Sequence, residues 1–226
     1  MTGRGPSGAR IGLAVALAIA TVAVSAAPRV LLAAGTLPAA ARPFVWSDVL
    51  ATFVERLAGT AVPYVDAFFE YPPVIGYVSG LLVRLAHDPV TYVAAWAIVC
   101  AVAAGAVALA LSRDAGAGRA TILWSLSPQL LLYGAMNFDV LAVAFLVWAI
   151  ALSRADHPHR ALIALAAGTA TKVFPALAAP ALLARLRRER GTGEAARGLA
   201  AFAGVAVALA APSLLEIGRA SCRERV

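Results

Sequence analysis

The sequence predicts an all-α polytopic membrane protein, and three observations carry that prediction. Hydrophobic residues make up 62% of the 226 positions, charged residues only 14%, and mean hydropathy is +0.82. Soluble domains hold about 25% charged residues, so this chain carries more apolar surface than water accommodates. Long apolar runs recur along the whole length, separated by short polar loops. The arginines gather in alternate loops, the mark of cytoplasmic connections in a multi-pass protein. The net charge of +7 invites a nucleic-acid reading. Arginines in short clusters between apolar runs do not build one basic face, so no nucleic-acid partner is expected. Two cysteines give no disulfide framework, and Cys100, inside an apolar run, reads as a small core residue.

Residues 1–10 hold Arg4 and Arg10 and are expected in the cytoplasm. Residues 11–34 are apolar except at Pro28-Arg29, and at about 1.5 Å per residue they can cross a hydrocarbon core of ~30 Å. The small residues of VSAAP also suit a signal-peptide cleavage site. Further apolar runs follow, and the positive amino end already makes this run an anchor. Residues 35–70 are then placed outside.

The outer loop and its surface helix are assigned to residues 35–89. The longest polar interruption of the chain lies within them, at residues 46–73, WSDVLATFVERLAGTAVPYVDAFFEYPP. It carries Asp48, Glu55, Asp66 and Glu70. Val49, Phe53, Val54 and Leu57 fall at helical spacing, which predicts a short amphipathic helix on the membrane surface, ended by Gly59. Pro63 and the pair Pro72-Pro73 break the chain again. Residues 74–86 make only about 20 Å of helix, too short to span, and are expected to lie along the outer surface.

After His87-Asp88-Pro89, residues 90–111 form a span heading inward to Arg113 and Arg119. Residues 121–136 return outward and present Asn137-Phe138-Asp139 at the outer face; residues 140–152 go back. Arg154, Asp156, His157, His159 and Arg160 form a cytoplasmic turn, where the histidines read as solvated rather than as metal ligands. Residues 161–184 run into Arg185, Arg187, Arg188 and Arg190. Both ends of that segment are therefore cytoplasmic, which requires a hairpin bent near residues 172–175. Residues 199–215 form a last outward span. Residues 216–226, EIGRASCRERV, read as the translation of a sequencing adapter and are set aside as an artefact. The transmembrane domain is thus assigned to residues 11–215.

Lys172, in TATKVFPAL, is the single lysine beside eighteen arginines. An ammonium group at a helix break suits a lipid-borne phosphate, and a lysine snorkelling to the interface is the plainer alternative. Asn137 and Asp139 reach the same outer interface, where Asp139 can cap the next helix. Asp48 follows the first span. It either caps the loop helix or acts as a general base that takes the proton from a sugar hydroxyl. Arg56, Tyr64, Asp66, Glu70 and Tyr71 supply further groups that can bind sugar hydroxyls. No His/Cys/carboxylate set has zinc-like spacing, and no glycine-rich phosphate loop occurs. A soluble nucleotide donor is not indicated, and a divalent cation at the loop carboxylates is left open.

Five short motifs then occur in one order: Ser47-Asp48; Pro63-Tyr64-Val65-Asp66; Glu70-Tyr71-Pro72-Pro73; Asn137-Phe138-Asp139; and Ala170-Thr171-Lys172-Val173-Phe174-Pro175 before the arginine cluster. Taken together over residues 11–215, they resemble the amino-terminal half of a GT-C superfamily membrane glycosyltransferase. The chain is most similar to glycosyltransferase family 87, the polyprenyl-phosphate-mannose-dependent mannosyltransferase-like proteins. The resemblance implies a GT-C-like helical bundle with a catalytic outer loop. It implies a polyprenyl-phosphate sugar donor, with mannose as the hexose, and a glycan or glycolipid acceptor on the outer face of the plasma (inner) membrane. Transfer would invert the anomeric carbon, with Asp48 catalytic and Lys172 near the departing phosphate. A transporter or lipid flippase is the alternative, since a charged residue in a broken apolar segment also marks transport sites. A noncatalytic membrane scaffold is a third.

Overall fold

A computed structural model describes residues 8–57, 62–65 and 69–223, with side chains described as far as residue 214. Its regular elements are helices. Among the described residues three segments are long and apolar enough to cross a membrane: Gly8–Ala33, Pro89–Ser125 and Thr192–Leu214. The chain divides into two compact units, Met1–Glu55 with Leu82–Ala144, and Arg56–Leu81 with Phe145–Val226.

The first unit is built on α1 (Gly8–Ala33) and α4 (Pro89–Leu111). Lipid is as apolar as leucine, so burying apolar area drives little association here, and close backbone packing decides it. The sequence supplies that packing. Ala14, Ala18, Val22 and Ala26 recur every four residues on α1 and are all buried. On the neighbouring row of α1, Val15 and Ile19 meet Gly105 of α4, where a Cβ would sit 3.4 Å from both.

The apolar segment Pro89–Ser125 is not one straight span. Trp124 Nε1 donates to Ala104 O at 3.0 Å, which a continuous helix would hold about 30 Å away. The chain reverses through a widened turn at Ser112–Gly116, where Gly116 takes φ +94°, a conformation open to glycine. The return arm runs through α5 (Ala117–Ala120), a second widened turn at Thr121–Ser125, and α6 (Pro128–Tyr133). It is tied to α1 by Ser125 Oγ donating to Ala14 O at 2.7 Å and Thr21 Oγ1 donating to Ser125 O at 2.6 Å. The expected reversal at the Arg113 and Arg119 loop is therefore present. The expected single helix over residues 121–136 is not. Pro128 lacks an amide hydrogen and Ser127 caps a new helix instead, with Oγ accepting from Leu130 N at 3.1 Å.

In the second unit, α7 (Asp139–Arg154, whose first turns belong to the first unit) leads to α8 (Pro158–Thr171). Lys172 is extended and ends α8; a 3₁₀ turn at Phe174–Ala178 leads into α9 (Ala179–Arg190). Arg190 Nη2 pairs with Asp156 Oδ1 at 2.6 Å, and Arg185 Nη1 donates to Ser153 Oγ at 3.3 Å. The far end of α9 thus returns to the start of α8, the hairpin that two flanking arginine groups require. Leu162, Leu165, Leu186, Ala149 and Ala179 form its core, with Phe202 of α10 (Thr192–Arg223) packed against it. Gly198 lets α10 approach, because a Cβ there would lie 2.7 Å from Leu162 and 2.9 Å from Leu186. His159 and Glu194 meet at 2.8 Å near the start of α10. Tyr77 donates to Leu209 O at 2.8 Å, about 22 Å further along the same helix.

Candidate functional site

The first unit brings Asp48, Asn137 and Asp139 into one neighbourhood. Ser47 Oγ accepts from Leu50 N at 3.1 Å and caps α2 (Asp48–Thr52). The capping reading of Asp48 is corrected by this bond, since its neighbour fills the role and the Asp48 carboxylate is left for other work. The Asp48 amide donates to Met136 O at 2.9 Å, which joins the loop after α1 to the end of the return arm. Trp46 Nε1 donates to Asp48 Oδ1 at 2.5 Å. Among the described residues no hydrogen bond reaches Asp48 Oδ2. A half-exposed carboxylate with one oxygen held and one open can accept a proton from a bound hydroxyl.

Asn137 is buried and brackets Asp139. Its Oδ1 accepts from the Asp139 amide at 3.0 Å and its Nδ2 donates to Asp139 Oδ2 at 2.9 Å. Asp139 opens α7, where a carboxylate complements the positive helix end. Between them Phe138 is fully buried, with its ring 4.6 Å from Trp96 of α4.

Arg29 is the residue that reading the sequence missed. It is buried at 7% exposure near the end of α1. Its Nε donates to Trp46 O at 3.1 Å and its Nη2 to Leu132 O at 2.7 Å, while Nη1 bonds the carbonyl and hydroxyl of Ser25. Ser25 Oγ in turn accepts from Ala135 N at 3.2 Å. One guanidinium therefore ties the first helix, the loop after it and the return arm together beside Asp48. The signal in the sequence was a charge within an apolar run, expensive unless satisfied, at Pro28-Arg29.

The loop helix differs from expectation. Val49 and Phe53 are buried, and the Phe53 ring lies 5.0 Å from Tyr92 of α4. The apolar stripe is packed against protein rather than left to the membrane surface, and Val54 is exposed. Beyond Thr52 the chain widens into a π-helical turn at Phe53–Leu57, which is where the two units divide.

The second unit holds Arg56, Tyr64, Glu70, Tyr71 and Lys172. Arg56 Nη2 pairs with Glu70 Oε2 at 3.2 Å, and both side chains stay partly exposed. Tyr64 is buried with φ +67°, and its hydroxyl donates to Tyr71 O at 2.6 Å. Burial, with Tyr77 adding, raises its pKa, which keeps the phenol a neutral donor. Its ring lies against Gly76 of α3 (Pro73–Leu85), where a Cβ would clash with the Tyr64 ring edge. Tyr64 is thus engaged with Tyr71 and Gly76. Lys172 is half-buried at the break after α8. Asp66 lies outside the described residues. Among the described residues no group of three His, Cys, Asp or Glu side chains is placed to hold a metal ion.

Compared with family models, curated proteins and solved structures, the chain matches none.

Proposed function

We propose that the protein is an integral-membrane hexosyltransferase that uses a polyprenyl-phosphate sugar, with Asp48 as general base. The observation that supports this reading most is the Asp48 carboxylate, held through Oδ1 by Trp46 with Oδ2 open, beside Asn137 and Asp139. In the proposed step an acceptor hydroxyl oxygen attacks the anomeric carbon. Its proton passes to Asp48 Oδ2 as the bond from that carbon to the phosphate oxygen breaks, and the polyprenyl phosphate leaves with the electron pair. One displacement inverts the anomeric centre. Asn137 and Asp139 contribute polar groups to the same outer-face neighbourhood. Mannose as the sugar, the plasma (inner) membrane as the location and a cytoplasmic amino end belong to the same proposal.

The test is transfer of labelled mannose from a short-chain polyprenyl phosphate in membranes carrying Asp48→Asn. Removing a general base lowers turnover by about 10²–10⁴-fold while the protein still accumulates. Wild-type turnover in that variant overturns the assignment. The break at Lys172 keeps a second reading, transport of a lipid-linked substrate. Movement of the labelled lipid across liposomes without an acceptor sugar separates the two.

A further inference from the structure

The outer loop presents an aromatic side chain that the proposed reaction does not yet use. Trp46 is 63% exposed, although its indole N–H and its carbonyl are both engaged. Its indole N–H is fixed on Asp48 Oδ1 at 2.5 Å and its carbonyl accepts from buried Arg29 at 3.1 Å. The ring is therefore anchored at its N–H edge and through its backbone, while most of the residue stays exposed. Among the described residues no aromatic ring packs on it. A flat apolar face beside an open carboxylate oxygen matches a pyranose, which has one C–H-rich face and a rim of hydroxyls. The electron-rich ring face attracts the slightly positive C–H groups, and the carboxylate accepts from a hydroxyl.

Resting on the function proposed above, we infer that Trp46 and Asp48 together form the hexose subsite. The indole face stacks on the sugar ring. The indole N–H positions Asp48 so that Oδ2 meets the reacting hydroxyl. An interfacial tryptophan can instead serve only as a membrane anchor, and that role requires neither the bond to Asp48 nor a sugar. Changes to the Trp46 side chain leave its backbone carbonyl available to Arg29, so the clamp beneath the site is retained.

The experiment compares Trp46→Phe and Trp46→Leu with wild type in nanodiscs. The substrate is a short-chain polyprenyl-phosphate mannose, and methyl α-mannoside is the binding probe. Trp46→Phe keeps a ring face and loses the donor, so kcat falls about tenfold or more with KM within about twofold. Trp46→Leu loses both, so KM also rises about tenfold. The emission lost on Trp46→Phe, taken as a difference spectrum, is quenched by the mannoside in wild type. Unchanged kcat and KM in both variants, with only membrane depth or yield altered, overturn the subsite and leave the transferase reading standing. Wild-type protein that binds the mannoside through Trp46 but transfers nothing supports the subsite and overturns the transferase reading. Wild-type protein that neither transfers nor shows the quench overturns both.

Discussion

The amide of Asp48 donates to the carbonyl of Met136 at 2.9 Å, joining two segments far apart in the chain. This bond brings the acidic loop after α1 next to the turn at Asn137-Phe138-Asp139. The placement of Asp48 depends on the helix that starts at its position, and that helix depends on Ser47. Ser47→Ala removes the acceptor for Leu50 N and costs about 1 kcal/mol. The expected outcome is lower turnover with near-normal yield. Unfolding followed by thiol labelling of buried Cys100, in a Cys222→Ser background, reports the stability loss beside the rate.

Arg29 offers a larger effect. Arg29→Met leaves the carbonyls of Trp46 and Leu132 without their donor in a poorly solvated place. Each stranded acceptor costs about 1–3 kcal/mol, so the variant loses roughly 2–6 kcal/mol. Arg29→Lys keeps the charge but not the planar fork, and falls between. Earlier labelling of Cys100 on heating, in the order wild type, Lys, Met, is the expected result.

Gly76→Ala tests the Tyr64 anchor. The added Cβ must displace the Tyr64 ring and with it the bond to Tyr71 O. Overpacking of this kind costs about 1–3 kcal/mol. Tyr64→Ala removes the obstacle, so the double variant is less destabilised than the sum of the singles. Scanning calorimetry of the four proteins reads the coupling directly, and strict additivity would refute the contact.

Asp88 gives a pH dependence. It caps α4, with Oδ2 accepting from Thr91 Oγ1 at 2.5 Å and Oδ1 accepting from Val90 N at 2.9 Å and Thr91 N at 3.0 Å. Those bonds, the Thr91 hydroxyl first, hold its pKa below the ordinary aspartate value. A depressed carboxylate contributes stability that is complete above its unfolded pKa of about 3.9 and lost as pH falls through the lower folded one. Asp88→Asn retains an acceptor but cannot titrate. The difference between the wild-type and Asp88→Asn melting curves is therefore constant near neutral pH and shrinks below about pH 4.

Charge pattern carried much of the architecture. Arginines on both sides of residues 161–184 required a hairpin, and the pairing of Arg190 with Asp156 closes one. Pro72-Pro73 and His87-Asp88-Pro89 bounded the short helix now found as Pro73–Leu85. These features are local, or follow from counting charges against a slab. The losses came where long-range contacts decide. Val49 and Phe53 have the spacing of a surface helix, and only the position of Tyr92 shows that protein covers them. Arg56 and Glu70 look like separate ligands in the sequence, and the fold pairs them. Arg29 looked like a flaw in a span because its partners at positions 46 and 132 have no side-chain signature. They are backbone carbonyls, which every residue has.

The Arg29 clamp also bears on how the chain is made. Its acceptors at Trp46 and Leu132 do not exist until those residues have been synthesised. At roughly 5–20 residues per second, α1 leaves the ribosome several seconds before Leu132 follows. During that interval the guanidinium has to reach toward the headgroup region, which its place in the last turns of α1 and its long stem allow. The arrival of the return arm then draws the charge inward. For this protein the first helix is inserted early and finished late, and the completion signal is a pair of carbonyl oxygens.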